Sequence, residues 1–401
     1  VTTTARLEDY REVAARGTIE LLLRLAERLR DRRFVHVNAS RFGAGSPEAL
    51  ARLVPMLQDL GIDAAWEVLV GDGDFYQSAR QLEGAVSAAR PVPVENPLRA
   101  LGGAALANVA VLPLEADLVM AHDLAAVALA RHRPGSRRWI WRYLGDLSRV
   151  PRRTWYAIRG EIERYDAAVF SLPKFAPRVS VPCLIVHPSI DPLSPKNREL
   201  GRAEVQQVLD RLGVPRDKPI LLDVTPYTRS REPLAALRTY RLVRRYVPCR
   251  LVLAGWGAGD NPEGAAVLAE IRENAGADPD AQILVLPPDA MLEINALQRA
   301  ASVIVHLPRE EDFGLIAAEA MWKGKPVVAS LAGGLSTQII TDVTGYTVTS
   351  VEGAAFRIRQ LLEDPDLTSR LGGAAREYVR RAFLITRQLG DYLALLATLT
   401  G

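Results

Sequence analysis

The chain has 401 residues and a mass of 43.9 kDa, with 48% hydrophobic and 24% charged residues, too long for one ordinary domain and enough for two with their own cores. Fifty basic residues against 47 acidic ones leave a net charge of +3, a near-balance that gives no argument for nucleic acid, an anionic membrane or a polyanionic substrate as partner. Only five of the fifty are lysine (Lys174, Lys196, Lys218, Lys323, Lys325), a bias of high-GC codon usage rather than of function.

The opening residues, VTTTARLEDYREVAARG, are polar and lack the apolar core of a signal peptide. Phe34-Val35-His36-Val37-Asn38 reads as the first strand, followed by Ser40-Arg41-Phe42-Gly43-Ala44-Gly45 and a helix carrying Ala49, Leu50, Leu53, Met56, Leu57 and Leu60. Further strands are expected at 65–70, Val109–Leu112, Leu118–Ala121, Trp139–Trp141, Ala167–Phe170 and Cys183–Val186. The apolar stretch Leu101–Ala130 is interrupted by Glu115, Asp117, His122 and Asp123 and is no membrane span. Three prolines in His187–Pro195 disfavour both helix and central strand. Beyond them strands are expected at Pro219–Val224, Arg250–Ala254, Gln282–Leu286, Val303–His306 and Pro326–Ala329, with helices at Pro233–Tyr246 and Glu263–Ala275.

Apolar strands alternating with amphipathic helices predict an α/β chain of two Rossmann-like, doubly wound domains with both sheet faces covered. The expected division is 1–187, rejoined by a C-terminal helix at 380–401, and 188–379. Two such domains facing one another would make a cleft for a small molecule. Cys183 and Cys249 cannot form a disulfide framework and no Cys/His cluster has zinc spacing, so a cytoplasmic protein without a metal is expected.

The segment Arg309-Glu310-Glu311-Asp312-Phe313-Gly314-Leu315 follows a strand, and Gly314 is expected to open an amphipathic helix that carries Glu319. A helix start offers free N–H groups and a positive dipole end, a natural seat for a diphosphate. Two glutamates at this spacing, taken alone, are a capping acid and a solvated helix residue. The surrounding text changes that weighting.

The chain resembles retaining glycosyltransferases of the GT-B fold, specifically glycosyltransferase family 4, whose second domain carries E-x7-E leading into a helix. Glu311 through Glu319 fits, with Phe313-Gly314-Leu315 in place. The resemblance narrows to the trehalose glycosyltransferring synthases and trehalose phosphorylases. It rests on Val35-His36-Val37-Asn38 with Phe42-Gly43, Ala121-His122-Asp123, Trp139-Ile140-Trp141-Arg142, Pro188–Ser194, Asn295–Ala300 and Glu319–Pro326. It implies that Glu319 holds the ribose of a nucleoside diphosphate, that Glu311 contacts hydroxyls of the transferred sugar, and that the backbone at Phe313, Gly314 and Leu315 approaches the donor. Gly43 and Gly45, with Ala44 between them, would lie near the diphosphate. Arg231, with Arg229 beside it, would neutralise the departing diphosphate, and His122 would touch sugar or backbone. Arg142, Leu144, Asp146 and Ser148 would line the acceptor side. No protein nucleophile and no metal are implied; the leaving oxygen takes the acceptor's proton in a front-face substitution.

Three departures stand out. Pro226 occupies an arginine position of the family's basic pair, Leu144 replaces a histidine, and Glu310 replaces an arginine. The leading expectation is therefore a transfer in specialised, antibiotic-type metabolism, with an unusual sugar or a non-sugar nucleophile such as a thiol (S-glycosylation). The alternatives are trehalose synthesis from a nucleoside-diphosphate glucose and glucose, trehalose phosphorolysis, and a catalytically inactive GT-B binding protein. The expected partners are a nucleotide-sugar donor (GDP, ADP or UDP) and a small acceptor, with room for a homodimer. His132 and His306 read as structural, Trp139, Trp141 and Trp322 as core, and the run Arg238–Arg250 as the outer face of a helix.

Overall fold

The computed structural model describes residues 6–43, 45–88, 90–135, 137–259 and 261–400. In chain order the first elements are α1 (Thr18–Glu27), β1 (Arg33–Asn38), α2 (Ser46–Asp59), β2 (Asp63–Val68), α3 (Gly73–Val86), α4 (Glu95–Val111), β3 (Leu118–His122), β4 (Arg138–Tyr143), α5 (Arg152–Ile162), β5 (Ala167–Phe170) and β6 (Cys183–Ile185). Next come α6 (Arg202–Leu212), β7 (Ile220–Val224), α7 (Pro233–Val243), β8 (Arg250–Gly255), α8 (Pro262–Ala275), β9 (Ala281–Val285), α9 (Met291–Ala300) and β10 (Val303–His306). The chain closes with α10 (Leu315–Trp322), β11 (Val327–Ala329), α11 (Leu335–Gln338), β12 (Gly345–Thr347), α12 (Val351–Glu363), α13 (Pro365–Ala382) and α14 (Ile385–Thr400).

Ile190–Leu384 forms one compact unit, and the chain before it together with the segment from Ile385 onward forms the other. Against the expected divisions at 187/188 and 379/380, the units part at Ser189/Ile190 and Leu384/Ile385. The second return is later because α13 runs unbroken to Ala382 and packs on α10, α12 and β12.

The first unit is a six-stranded sheet in the order β2-β1-β3-β4-β5-β6, every neighbouring pair parallel. Phe34, Val35 and Val37 of β1 and all of β3 are buried, as strands covered on both faces must be. Helix α14 supplies part of that cover, packing on α1, α2 and β3 through Leu389, Tyr392, Leu393 and Leu396. The second unit repeats the plan in the order β12-β11-β10-β7-β8-β9, again all parallel. Its core joins Leu221, Leu251, Leu253, Val303, Val305 and Val328 of the sheet to Tyr240, Val243, Ile271 and Ile358 of the helices. In each sheet the strand order reverses once, between β1 and β3 and between β7 and β10. Side chains at the carboxyl ends of these strand pairs are where an open parallel sheet builds its ligand site.

Three expectations are corrected. Val109–Leu112 is not a strand: Glu95–Val111 is one helix, and Asn108 on it bonds Ala104 O at 2.8 Å and both backbone groups of Val70. A four-residue apolar run has no period that separates a strand from the end of a buried helix. The short strand Gly345–Thr347 was not expected; it holds three residues at the sheet edge. Helix α10 is not amphipathic, since Ala317 through Trp322 are all buried.

Candidate functional site

At the reversal point of the second unit, Asp223 comes from near the end of β7 and His306 is the last residue of β10. Asp223 Oδ1 lies 3.1 Å from His306 Nδ1, and His306 Nε2 lies 2.9 Å from Glu311 Oε2. The other carboxylate oxygen of Glu311, Oε1, pairs with the guanidinium of Arg231 and accepts the N–H of Asp312 at 3.1 Å. Arg231 also donates to Glu310 O at 2.9 Å. The result is a line of alternating charge, Asp223, His306, Glu311, Arg231, running from the buried interior outward. Burial alone would push the His306 imidazole down, but its hydrogen bonds to Asp223 and Glu311 raise it to about 9. Burial works to raise Glu311, and His306 and Arg231 outweigh it, so its carboxyl is held below the usual range. Asp223 is pushed up by burial, with His306 pulling the other way.

The loop that carries Glu311 is held by backbone. Arg309 and Glu310 donate N–H to Ser230 O at 2.9 and 3.1 Å, and Gly334 N–H reaches Asp312 O at 2.7 Å. Gly333 makes that approach possible: its φ is +47°, and a Cβ there would stand 2.0 Å from Glu311 O and 2.1 Å from Asp312 O. Gly314 ends the loop at φ +83°, where a Cβ would come within 2.8 Å of Leu335 Cδ2 and 3.2 Å of Glu311 Cγ. Phe313 is buried, with its carbonyl accepting from Gln338, and Leu315 is the first residue of α10.

Glu319 lies two turns into α10 and is buried. Its Oε1 pairs with Lys196 Nζ at 3.1 Å, and Oε2 is buried with no hydrogen-bond partner among the described residues. One turn on, Lys323 spends its three donors on Asn197 Oδ1 (3.0 Å), Gln298 Oε1 (2.7 Å) and Glu319 O (3.2 Å). Burial brings the Lys323 ammonium down to about 7, with the Glu319 charge opposing the fall. Arg229 does not join this group: its N–H bonds Glu263 at 3.0 Å and its exposed guanidinium pairs with Glu270 on α8. Arg229, expected near the donor, is thus held by two acids of α8.

In the first unit, the equivalent reversal point gathers His36 from β1 and His122 from the end of β3. Their rings meet at 3.1 Å, Nδ1 to Nε2, and both are fully buried. Burial depresses both, His36 to about 3 with Arg142 adding to the fall, so the pair is neutral and shares one proton between its facing nitrogens. His122 therefore does not face solvent as a sugar contact should. Arg142 is also buried, donating to Val186 O at 3.3 Å and lying over the Tyr392 ring; it is a core residue, contrary to its expected acceptor role. Asp123 has φ +65° and accepts from Ser46 Oγ at 3.1 Å; burial raises its carboxyl to about 6. Gly43 and Gly45 both have positive φ, and a Cβ on Gly45 would touch Leu144 at 3.5 Å; Ala44 lies outside the described residues. Asp146 Oδ1 caps the Ser148 N–H at 2.7 Å in the loop after β4.

Sequence reasoning missed Asp223, His306, Lys196 and Lys323. A lone acid in the apolar strand Ile220–Val224 was the available signal, because a buried carboxylate must have a partner. Arg250, counted with an outer helix face, is instead a buried β8 residue paired with Asp217 and Asp280 at 3.0 and 3.2 Å. Trp139, Trp141 and Trp322 are core as expected. Among the described residues no group of three or more His, Cys, Asp or Glu is arranged to hold a metal, and no helix is long and apolar enough to cross a membrane.

Residues 36–177 match the family described as "Trehalose synthase, N-terminal domain", and residues 206–378 match "Glycosyl transferases group 1". The trehalose synthase of Pyrococcus horikoshii is 34% identical over 402 residues, covering 99% of this chain and 97% of that protein. The trehalose synthase of Rubrobacter xylanophilus is 35% identical, covering 98% and 97%. Among solved structures, an α,α-trehalose-phosphate synthase (UDP-forming) from Burkholderia xenovorans in complex with glucose-6-phosphate is similar with a TM-score of 0.72 at 11% identity, covering 91% of this chain and all of that one. The Anabaena protein HepE in complex with UDP and glucose is similar with a TM-score of 0.69 at 17% identity, covering 92% and 100%.

Proposed function

The chain belongs to the trehalose synthase family of group 1 glycosyltransferases, enzymes of GT-B fold that use a nucleotide sugar, and from that premise we propose that it makes trehalose from a nucleoside-diphosphate glucose and glucose. The observation that carries the reading is the extent of the likeness: it spans both units and nearly the full length of relatives that are themselves trehalose synthases. It also covers the segment around Leu144 from which a different acceptor was expected. That expectation, a thiol or unusual sugar in specialised metabolism, rested on Leu144, Pro226 and Glu310 and is the weaker one. Of the three, Glu310 meets Arg231 through its backbone carbonyl, a contact that the identity of its side chain does not alter.

In this reading the transfer proceeds with retention, by the front-face route of glycosyltransferase family 4. Glu319 presents its unpartnered Oε2 to a ribose hydroxyl, with Oε1 already taken by Lys196. Glu311 accepts from hydroxyls of the transferred glucose. Arg231 and the N-terminus of α10 stabilise negative charge as it builds on the departing diphosphate, which in turn takes the proton of the incoming hydroxyl. The remaining demand is positioning, which the backbone bonds of Arg309 and Glu310 to Ser230 and of Gly334 to Asp312 supply.

Incubation of the protein with ADP-, GDP- or UDP-glucose and carbon-13-labelled glucose tests the proposal. The expected product is a labelled α,α-1,1 disaccharide, formed with stoichiometric nucleoside diphosphate. Consumption of donor only when a thiol or another acceptor replaces glucose would restore the first expectation, and synthesis only from glucose 1-phosphate would point to the phosphorylase.

A further inference from the structure

Glu311 has two oxygens, and the structure gives each a different cation. Oε1 faces Arg231, whose side chain is 20% exposed and sits on the short 3-10 turn Arg229–Arg231. Oε2 faces His306, whose side chain is 3% exposed and is fixed at the end of a central strand with Asp223 behind it. One partner reaches solvent from a short turn and the other is enclosed at the end of a central strand. This matters because Arg231 has two claims on it: Glu311 in the structure and, on the function proposed above, the diphosphate of the donor. If Arg231 were the only counter-charge, its departure would leave a nearly buried carboxylate unpaired, an arrangement that low-dielectric surroundings penalise heavily.

We propose that His306, anchored from behind by Asp223, is a positioning residue that holds the Glu311 carboxylate in place when Arg231 turns to the diphosphate. The inference rests on the roles assigned to Glu311 and Arg231 in the proposed function. The charged groups facing the imidazole are Asp223 from β7 and Glu311 from the loop, with Arg231 beyond Glu311. Asp223 fixes the ring by accepting from Nδ1, which leaves Nε2–H directed at Glu311. The line then behaves as a relay of position. The fixed pair sets where the carboxylate stands, and the mobile arginine is free to follow the leaving group.

Two measurements test this, one of them independent of any substrate. The chain has five histidines, so the His306 ring can be followed by NMR after assignment with His306→Gln. It should remain an imidazolium to about pH 9 in the ligand-free protein. In Arg231→Ala, which removes a like charge, its titration should move higher still. Titration near 6.5 would overturn the inference whatever the enzyme's substrate. The second measurement compares His306→Leu and His306→Gln with the wild type on nucleoside-diphosphate glucose and glucose. His306→Leu should lower kcat about 100-fold while changing the affinity for the free nucleoside diphosphate less than about 3-fold. His306→Gln, which keeps a donor but no charge, should fall between, with a kcat that no longer declines above pH 9. Equal losses of kcat and nucleotide affinity in His306→Gln, or wild-type kcat in His306→Leu, would refute the assignment. Absence of any trehalose from the wild type, with the NMR result as expected, would instead count against the proposed function alone.

Discussion

Replacing Gly333 with alanine probes whether the Glu311 loop is held as tightly as its geometry implies. The residue sits at φ +47°, where an L side chain costs about 1–2 kcal/mol. The added Cβ would lie 2.0 and 2.1 Å from the carbonyl oxygens of Glu311 and Asp312, so one strand of the loop must retreat by about 1.5 Å to reach ordinary contact. Overpacking of this kind costs about 1–3 kcal/mol. Together the expected loss is about 2–5 kcal/mol in unfolding free energy, read by guanidinium chloride denaturation. Because the displaced backbone carries Glu311, turnover should fall about 100-fold even where the variant is folded. Gly373→Ala is the matched control. That glycine is exposed within α13, a Cβ there meets nothing within 4 Å, and the change should stabilise the same unit by about 1 kcal/mol. A Gly333→Ala protein with wild-type unfolding and wild-type turnover would show that the two loops do not touch as described.

Arg231→Ala should lower kcat/KM at least about 100-fold, whereas Arg229→Ala, whose exposed guanidinium pairs with Glu270, should change it less than about 3-fold; steady-state kinetics on the donor separates them. Glu319→Gln should weaken nucleoside diphosphate binding about 10- to 100-fold by calorimetry, and unchanged affinity would remove Glu319 from the donor site. Asp123→Asn should leave stability unchanged at pH 4 and raise it by on the order of 1–3 kcal/mol at pH 8. The sign follows from a folded-state value raised to about 6 from an ordinary 3.8: the cost of ionising Asp123 grows as pH climbs between those values and is absent in the asparagine variant. Asparagine also tolerates the φ of +65° there, so chemical denaturation at the two pH values isolates the charge, and a pH-independent difference would refute the raised carboxyl.

The carboxylates Glu311 and Glu319 were legible because their spacing and the Phe313-Gly314-Leu315 text are local. Arg231 was legible for the same reason, as the basic residue in the loop after a strand. His306 was not: a single histidine ending an apolar strand reads as core until Asp223, 83 residues earlier, is brought to 3.1 Å by the pairing of β7 with β10. For Arg142 and His122 the resemblance implied contact with a ligand, and it carried no sign of the packing of α14 against β3 and of Tyr392 against Arg142 that buries them.

By itself, then, the amino-acid order determined the alternation of strand and helix, the two doubly wound units and the family text, since hydrophobic period and short motifs are written in neighbouring residues. Which acids and bases share a proton, which cation is enclosed and which reaches solvent, and which polar groups are sealed from water were decided only in the folded chain. Those properties depend on burial and on distances of about 3 Å between residues far apart in sequence, and neither quantity exists until the sheets have assembled.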